Sequence, residues 1–470
     1  MKAETHSLKT NALWPGQAIF QSIAQLAPLA TLVLTVQEIA SYTGAMALSY
    51  TLALLITLLG VNTIVQMGSR FPHAGGYYSY VSNGISPSAG AYTAMLYLLY
   101  QVLNTAGIVM FTSWFAQDML SLLNIQVHAY YLYPIPFLLI LILPYFGIKP
   151  SVIFYLVTSG IEILLTIALI AVMGLHPAHV SNLAAPFISN TPATDFALSV
   201  IFSLFFFTGY GSMITIAEET RRPRRSVPLM AVLSVVLIGL LELAFIYFSE
   251  VAWGTSAMGG YASSSIFTVF LQARQYLGFL GFLLIGSFSI IASLEANIAV
   301  QNATSRVLFA LGRDGVFPSW LGTVHPKYGS PHRAVLFNSA LSLAIILVSY
   351  LSFHYLLHIS EGTTIAAAVF LIALLTVAYL LVHIMANLSV TAFFARKERR
   401  SLSISKHVLM PVGATAAMLA ALYESFSGLS GYMLALPVIV ILFLLLSGIF
   451  VLRLRRRNRM ALENTARVHV

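Results

Sequence analysis

Residues 205–212 read FFFTGYGS, and residues 21–30 read QSIAQLAPLA. Each stretch interrupts a long apolar segment. The ring of Pro28 removes a helical hydrogen bond and clashes with the preceding turn, and the glycines Gly209 and Gly211 allow the backbone to unwind. Unpaired backbone groups at membrane depth are tolerated only where they face protein or a water-filled cavity. A matched pair of such interruptions therefore indicates a solute-binding site of a transporter, although either one alone can be an ordinary kink.

The composition of the chain favours a membrane protein. Of the 470 residues, 59% are hydrophobic and only 8% are charged, whereas a soluble protein carries about 25% charged residues. So few charges cannot cover a water-exposed surface, but the lipid-exposed surface of a helix bundle needs no such cover. The chain has no cysteine, which excludes disulfides, thiolate nucleophiles and cysteine-ligated metals.

The apolar segments predict an all-α protein with twelve transmembrane helices. A spanning helix needs about 20 mainly apolar residues, and twelve segments approach or exceed that length. Their predicted bounds are Pro15–Tyr42, Ala45–Met67, Pro87–Leu120, Tyr130–Phe146, Pro150–Gly174, Asp195–Ala217, Pro228–Trp253, Gly278–Leu311, Arg333–Leu351, Thr363–Phe394, Val408–Phe426 and Tyr432–Leu454.

The basic residues predict the orientation of these helices. With the N-terminus inside, only Arg274 of the 24 Lys and Arg residues falls in an outer segment. Positive residues prefer the cytoplasmic side, so we expect a protein of the cell membrane with both termini in the cytoplasm. The clusters Arg221–Arg225 and Arg453–Arg459 then serve as topology signals near anionic headgroups. This reading leaves no need for a nucleic-acid partner.

Three stretches carry a family resemblance. Residues 70–81 read RFPHAGGYYSYV, residues 217–228 read AEETRRPRRSVP after the Gly209 break, and NATSR at 302–306 is followed by GRDGVFP at 312–318. In this order and spacing they resemble motifs of the amino acid–polyamine–organocation (APC) superfamily of permeases. The resemblance covers most of residues 15–395.

The resemblance implies a particular architecture. It predicts a transport core at 15–395, built as two inverted repeats of five helices whose first and sixth helices are broken. A cytoplasmic tail at 1–14 precedes this core, two added helices at 396–454 follow it, and a basic cytoplasmic tail occupies 455–470. The substrate site is expected between the two broken helices. Many family members carry a Gly-Ser/Thr-Gly cluster at the first break, where this chain has QLAP at 25–28.

The chemistry of a zwitterionic amino acid suits such a site. Half-helix N-termini offer free N–H groups and a positive dipole end to a carboxylate, and unwound carbonyls suit an ammonium group. Tyr100 and Asn104 share one face of the third helix. By resemblance Phe207 is a lid or side-chain contact, while aromatic packing is the alternative for Phe205–Phe207. The predicted substrate contacts are Ala24, Gln25, Ala27, Pro28, Tyr100, Asn104, Phe207, Thr208, Gly209 and Tyr210.

Three carboxyl groups fall in mid-span: Glu162, Glu242 and Glu295. Ionised carboxylates there are costly, so each is expected to be protonated, hydrated or paired with a cation. Glu162 is the candidate proton carrier, because the resemblance places a fifth-helix residue of this region beside a cation site between helices one and eight. Glu295 is a candidate ligand for a substrate ammonium group. For Glu242 the favoured alternative is a protonated residue that hydrogen-bonds a neighbouring helix.

The remaining candidates are weaker. Glu218 and Glu219, beside the arginine cluster, form either an inner-gate ion-pair network or a plain surface pair. His176/His179 and His354/His358 have metal-compatible spacing but lie in predicted outer loops without nearby carboxylate clusters, so solvated loop histidines are favoured and no metal site is expected. The chain shows no P-loop, nucleophile elbow or metal-hydrolase motif, which supports neither an ATP-driven pump nor an enzyme, and no cofactor is expected.

These features predict a secondary amino-acid permease that works by alternating access as a proton symporter. The expected partners are an amino acid or amine, a proton and the lipid bilayer. Three alternatives stay open: a polyamine or organic-cation carrier, an amino-acid exchanger, and a membrane solute sensor that does not transport. The solute, the choice between proton and sodium, and the oligomeric state are not predicted.

Overall fold

A computed structural model describes residues 7–176, 183–264, 266–360, 362–427, 429–458 and 462. These residues form an all-α protein without strands. The α-helices are α1 (Pro15–Leu26), α2 (Pro28–Tyr42), α3 (Met46–Thr63), α4 (Tyr77–Gly84), α5 (Pro87–Leu122), α6 (Ala129–Leu132), α7 (Pro134–Tyr145), α8 (Ile148–Leu175), α9 (Ala193–Leu204), α10 (Pro223–Trp253), α11 (Met258–Ala262), α12 (Thr268–Arg313), α13 (His332–Leu351), α14 (Thr363–Arg396), α15 (Met410–Glu424) and α16 (Ala435–Arg457).

The described residues include eleven helical segments that are long and apolar enough to cross a membrane. They coincide, within a few residues at most ends, with eleven of the twelve predicted spans. The fourth predicted span is shorter in the structure, where α6 and α7 together form an apolar helical segment at Ala129–Tyr145. Proline at 134, 136 and 144 weakens helical hydrogen bonding there. The twelve-helix count and the inverted repeat stay predictions.

The predicted break in the first span lies at Ala27. Its backbone is left-handed, with φ 49° and ψ 59°, a conformation that costs an L-residue about 1–2 kcal/mol. Pro28 then opens α2 at a position where its missing N–H is tolerated. The first span is therefore two helices, α1 and α2, joined at one residue.

The predicted break in the sixth span is longer. After α9 the chain forms a 3₁₀ turn at Phe205–Phe207 and a second 3₁₀ segment at Ser212–Glu219. Gly209 lies between them with φ 115°, a backbone conformation that favours glycine. The span therefore has no continuous α-helix through its middle.

The long helix α5 lies at the centre of the bundle and packs along α14, α12 and α4. The segment before α1 is also part of the packed structure. Leu13 is buried and forms a bridge with Thr220, in which the Leu13 amide donates to the Glu219 carbonyl at 3.0 Å. The bridge ties the start of the chain to the exit of the broken sixth span.

Candidate functional site

The two broken spans are joined directly by side chains of α1. Ser22 Oγ donates to the Tyr210 carbonyl at 3.0 Å, and Gln21 Nε2 donates to Ser212 Oγ at 2.7 Å. Gln21 Nε2 also donates to the Ala299 carbonyl of α12 at 2.8 Å. The unwound carbonyl groups of the sixth span are thus held against the first span and α12.

Gln25 brings several of the predicted substrate contacts together. Its Nε2 donates to Tyr100 Oη at 3.2 Å. A β-carbon at Gly209 would lie 2.6 Å from Gln25 Cγ, so the glutamine packs directly on the second break. Among the described residues, Gln25 Oε1 has no hydrogen-bond donor although it is buried. The structure therefore joins Gln25, Tyr100 and Gly209, and leaves one strong acceptor free beside Ala27.

A buried histidine that the sequence reasoning missed lies beside this group. His383 Nδ1 lies 3.0 Å from the Tyr379 carbonyl of its own helix, α14, so this nitrogen carries a proton and donates. His383 Nε2 lies 3.1 Å from Tyr77 Oη and accepts from it in the neutral ring. The imidazole also packs on Tyr379 and Tyr210, at 4.1 and 5.5 Å between ring centroids.

This aromatic layer reaches the predicted contacts on α5. Tyr100 packs on Tyr379 at 5.3 Å between centroids and on Tyr97 at 5.9 Å. A histidine inside an apolar helix is a functional signal by the same reasoning as a mid-membrane carboxylate. That rule, applied to the tenth predicted span, would have found His383.

The other predicted contacts either face a different part of the protein or form hydrogen bonds within their own segment. The Phe207 ring packs on Tyr50 of α3 at 5.3 Å, and Phe206 packs edge-on against the same ring at 5.2 Å. Thr208 Oγ1 donates to the Phe205 carbonyl at 2.7 Å. Asn104 is half-buried on α5. The aromatic-packing alternative describes Phe206 and Phe207 well, and the substrate roles of Phe207, Thr208 and Asn104 stay predictions.

Glu162 and Glu295 lie together at the boundary of α8 and α12. Both are essentially unexposed, at 0% and 1%, and the Ser159 hydroxyl of α8 donates to Glu295. The Glu162 carboxyl lies near the Leu29 amide at the start of α2, next to the first break. The pair thus faces the first-helix region, and within the described ranges no hydrogen bond joins Glu295 to Gln25 or to the break in the sixth span.

Glu242 of α10 is hydrogen-bonded by two neighbouring helices, while the protonation that the favoured alternative also assumes stays a prediction. The Tyr50 hydroxyl of α3 donates to one of its carboxyl oxygens. Thr31 Oγ1 of α2 donates to the other at 3.1 Å. A further buried carboxyl, Glu250, was missed because it lies toward the end of its span; it faces the Met46 and Ala47 amides at the start of α3.

The predicted inner-gate residues form ion pairs that cross the bundle. Glu218 accepts from both Arg313 terminal nitrogens, at 2.8 and 2.9 Å, and from the Ala74 amide at 2.9 Å. Glu219 pairs with Arg306, whose side chain is 0% exposed. The arrangement therefore matches a buried ion-pair network better than a plain surface pair, while its role as a gate stays a prediction.

A further ion pair on this side of the protein was not predicted. Arg70 donates to both Glu398 oxygens, at 3.0 and 2.8 Å. Its guanidinium also lies over the Phe394 ring at 4.6 Å. Hydrogen bonding to Arg70 lowers the pKa of the Glu398 carboxyl below its ordinary value. The pair connects the chain beyond α3 to the chain beyond α14.

Paired helix breaks of this kind are typical of the substrate site of a transporter. Here polar side chains join the two breaks, and buried carboxyl groups lie next to them. Residues 17–463 match the model of the amino acid permease family. The chain belongs to this family. It is therefore a multi-pass membrane protein of the APC superfamily of transporters, as the sequence motifs predict.

Individual relatives differ in what their names say they carry. The permease is 24% identical over 417 residues to the low-affinity putrescine importer PlaP of Escherichia coli (strain K12), across 85% of this chain and 84% of that protein. It is 22% identical over 314 residues to the branched-chain amino acid permease BcaP of Bacillus subtilis (strain 168), across 63% and 66%. An uncharacterized transporter of Rhizobium meliloti (strain 1021) is 27% identical over 303 residues. That match covers 60% of this chain and 61% of that protein, which is less than two thirds of its length.

The permease also has an open cavity at the end of the bundle opposite the ion pairs. Its volume is about 360 Å³, and its walls come from α2, α5 and the chain after α11. Glu38, Asp118 and Trp114 line it, and no Lys or Arg is among the described residues of its wall.

The histidine pairs of the sequence take ordinary positions where the structure describes them. His176 Nδ1 lies 3.1 Å from the Val172 carbonyl, and His354 stacks on Tyr350. His179 lies outside the described residues. Within the described ranges, no group of three or more His, Asp or Glu residues is arranged to hold a metal ion.

Proposed function

We propose that this permease is a secondary active carrier of amino acids or small organic amines that works by alternating access. The observation that carries the proposal is the meeting of the two breaks at Gln25 and Gly209. A buried, unpartnered Gln25 Oε1 beside unwound backbone offers acceptors for an ammonium group, which amino acids and amines share. The names of PlaP and BcaP agree with that class of solute.

The proton is our proposed coupling ion, and Glu162 its carrier. The carboxyl is unexposed and lies near the Leu29 amide, so a change in its charge acts on the first break. A buried carboxyl favours protonation, because the ionised form loses its hydration. We further propose that the protein lies in the cell membrane with both termini and the Glu218–Arg313 end in the cytoplasm, as the distribution of basic residues favours.

Uptake into proteoliposomes tests the proposal. Radiolabelled alanine, leucine and putrescine are offered with and without an inward-directed pH gradient. We expect accumulation of at least one solute only with the gradient, and a strong loss in the Gln25→Ala variant but not in Gln126→Ala, whose side chain is exposed. Gradient-independent accumulation would remove proton symport, a requirement for internal solute would mean exchange, and binding without flux would mean a sensor.

A diamine carrier is the second candidate, and the open cavity favours it. Glu38 and Asp118 line that cavity together with the Trp114 ring. Carboxylates and an aromatic face both attract organic cations. Accumulation of labelled putrescine that excess leucine does not reduce would support diamine carriage over amino-acid carriage, whereas accumulation of labelled leucine that excess putrescine does not reduce would support amino-acid carriage.

A further inference from the structure

Helix geometry and one hydrogen bond bring two buried carboxyl groups to the same place. Ser159 and Glu162 are three residues apart on α8 and therefore share a face. The Ser159 hydroxyl donates to one oxygen of Glu295, on α12. The Glu295 carboxyl is thus held beside Ser159, on the face of α8 that carries Glu162, and it lies within hydrogen-bonding reach of the Glu162 carboxyl.

Three oxygens of these two groups are poorly satisfied. Among the described residues, both oxygens of Glu162 and Glu295 Oε1 are buried and accept no hydrogen bond of good geometry, although the uncharged Leu29 amide lies near Glu162. Ionised carboxylates are acceptors only, so a hydrogen bond between the two groups requires a proton on one of them. Two adjacent carboxyl groups that are buried cannot both ionise without a large cost.

Among the residues that the structure describes, neighbouring elements bring no cation that neutralises the pair. Tyr155 lies near it on α8, but its hydroxyl accepts from Asn302 at 2.9 Å. Arg306 of α12 lies further along and is bonded to Glu219. Glu242 of α10 is directed at Tyr50 and Thr31. From α2 the pair meets the Leu29 amide, which is a donor without charge.

We propose that Glu162 and Glu295 act as one proton-binding unit that shares a proton between their carboxyl groups. This inference rests on the proposed function and deepens it, because it moves Glu295 from the substrate site to the coupling site. A proton from the outer solution adds to a carboxylate oxygen of the unit, and the same proton leaves to the inner solution after the conformational change. The first break and α12 both touch the unit, so the gain or loss of that proton acts on both.

The position of the unit explains how one proton can influence the whole transport cycle. Glu295 lies on α12, whose inner end carries Arg306 and Arg313 of the ion-pair network. Glu162 faces α2 at Leu29, immediately after Ala27. A change in the charge of the pair therefore acts on α12, which carries the inner ion pairs. It also acts on α2, which begins at the first break.

Paired variants separate a shared unit from two independent residues. Groups that act as a unit give non-additive effects. Glu162→Gln, Glu295→Gln and the double variant should therefore each lose gradient-driven accumulation to a similar degree, roughly tenfold or more. Substrate exchange without a gradient should remain. In each single variant an amide replaces the like-charged neighbour, so the pH midpoint of any residual uptake should move to lower pH.

Infrared difference spectroscopy of the purified protein in lipid provides a readout that does not depend on transport. A pH change should alter one protonated-carboxyl band in the wild type, and both single variants should remove or shift that same band. Glu250→Gln, a matched variant of another buried carboxyl, should leave the band and the pH profile unchanged. Glu295→Asp, which keeps the acid on a shorter chain, should restore part of the coupling, and melting temperatures identify any variant that fails to fold.

Several outcomes would overturn the shared unit. If Glu295→Gln raises the KM for solute but leaves the pH profile and the carboxyl band as in the wild type, Glu295 is a substrate ligand. If wild-type accumulation follows sodium, the pair is a metal-ion site. Failure of wild-type uptake with any gradient would count against the proposed function alone, because the infrared comparison still tests the unit.

Discussion

Gln25 packs directly against Gly209, so that a β-carbon at position 209 would lie 2.6 Å from Gln25 Cγ. These residues are far apart in sequence, and each belongs to one of the two helix breaks. The contact is possible because Gly209 has no side chain and has φ 115°, which an L-residue rarely adopts. The closeness of the two breaks therefore depends on one glycine.

The Gly209→Ala substitution should disrupt the candidate site. The added methyl group meets Gln25, and the backbone strain alone costs about 1–3 kcal/mol. At about 1.4 kcal/mol per factor of ten, solute affinity should fall about tenfold or more. Isothermal titration or a thermal-shift series with the transported solute measures this. Gly448→Ala is the control, because nothing lies within 4 Å of its added carbon; equal effects of both variants would contradict the prediction.

His383→Phe should destabilise the aromatic layer without changing its volume greatly. The variant removes the hydrogen bond between Tyr77 Oη and the ring, and the second hydrogen bond that the Tyr379 carbonyl accepts besides the one within its helix. A buried polar group that loses its hydrogen bond costs about 1–3 kcal/mol, so the melting temperature should fall by several degrees. Tyr77→Phe and the double variant complete a mutant cycle. Fully additive effects would show that the contact between the two side chains carries no coupling energy.

Arg306→Met should be strongly destabilising, because Glu219 is left buried without its partner. Breaking a buried ion pair from one side costs about 3–5 kcal/mol, and the expected result is loss of folded protein in detergent. Adding Glu219→Gln should recover much of the loss, since the uncompensated charge is removed. Size-exclusion profiles and melting temperatures measure both. A single variant that is as stable as the wild type would mean that Glu219 is solvated.

The Arg70–Glu398 pair should affect stability only above acidic pH. Hydrogen bonding to Arg70 lowers the pKa of Glu398 in the folded protein. A carboxyl with a lowered folded pKa contributes stability above its unfolded pKa, and this contribution is lost as the pH falls through the folded pKa. The wild type should therefore melt slightly above Glu398→Gln at neutral pH and equal to it in acid. If the difference in melting temperature between the wild type and Glu398→Gln widens in acid, the prediction is contradicted.

The sequence predicts the spans and both breaks because these depend on local features. Runs of apolar residues set the spans, and Pro28 and Gly209 each favour an interruption of the helix at their own position. The direction in which each side chain points depends on helix rotation, which packing decides. This is why Phe207 could be placed at the break but not against Tyr50 of α3.

Contacts between residues that are far apart in the chain could not be predicted from the sequence. Glu162 and Glu295 are recognisable one by one as costly mid-span carboxyls, but their meeting depends on how α8 packs on α12. The pairing of Leu13 with Thr220 likewise has no local signal. His383 could have been predicted from the sequence, because a polar residue inside an apolar helix is recognisable without the structure.

Labelling of a single cysteine at position 25 tests most directly whether the solute binds at the meeting of the breaks. The chain has no cysteine, so a thiol reagent reacts only with Gln25→Cys, and Gln126→Cys serves as the exposed control. We predict that a solute carried by the wild type, added at a concentration high enough to occupy the weakened site of the variant, slows the labelling at position 25 and leaves position 126 unaffected. If the variant still binds that solute while its labelling rate at position 25 stays unchanged, the site lies elsewhere.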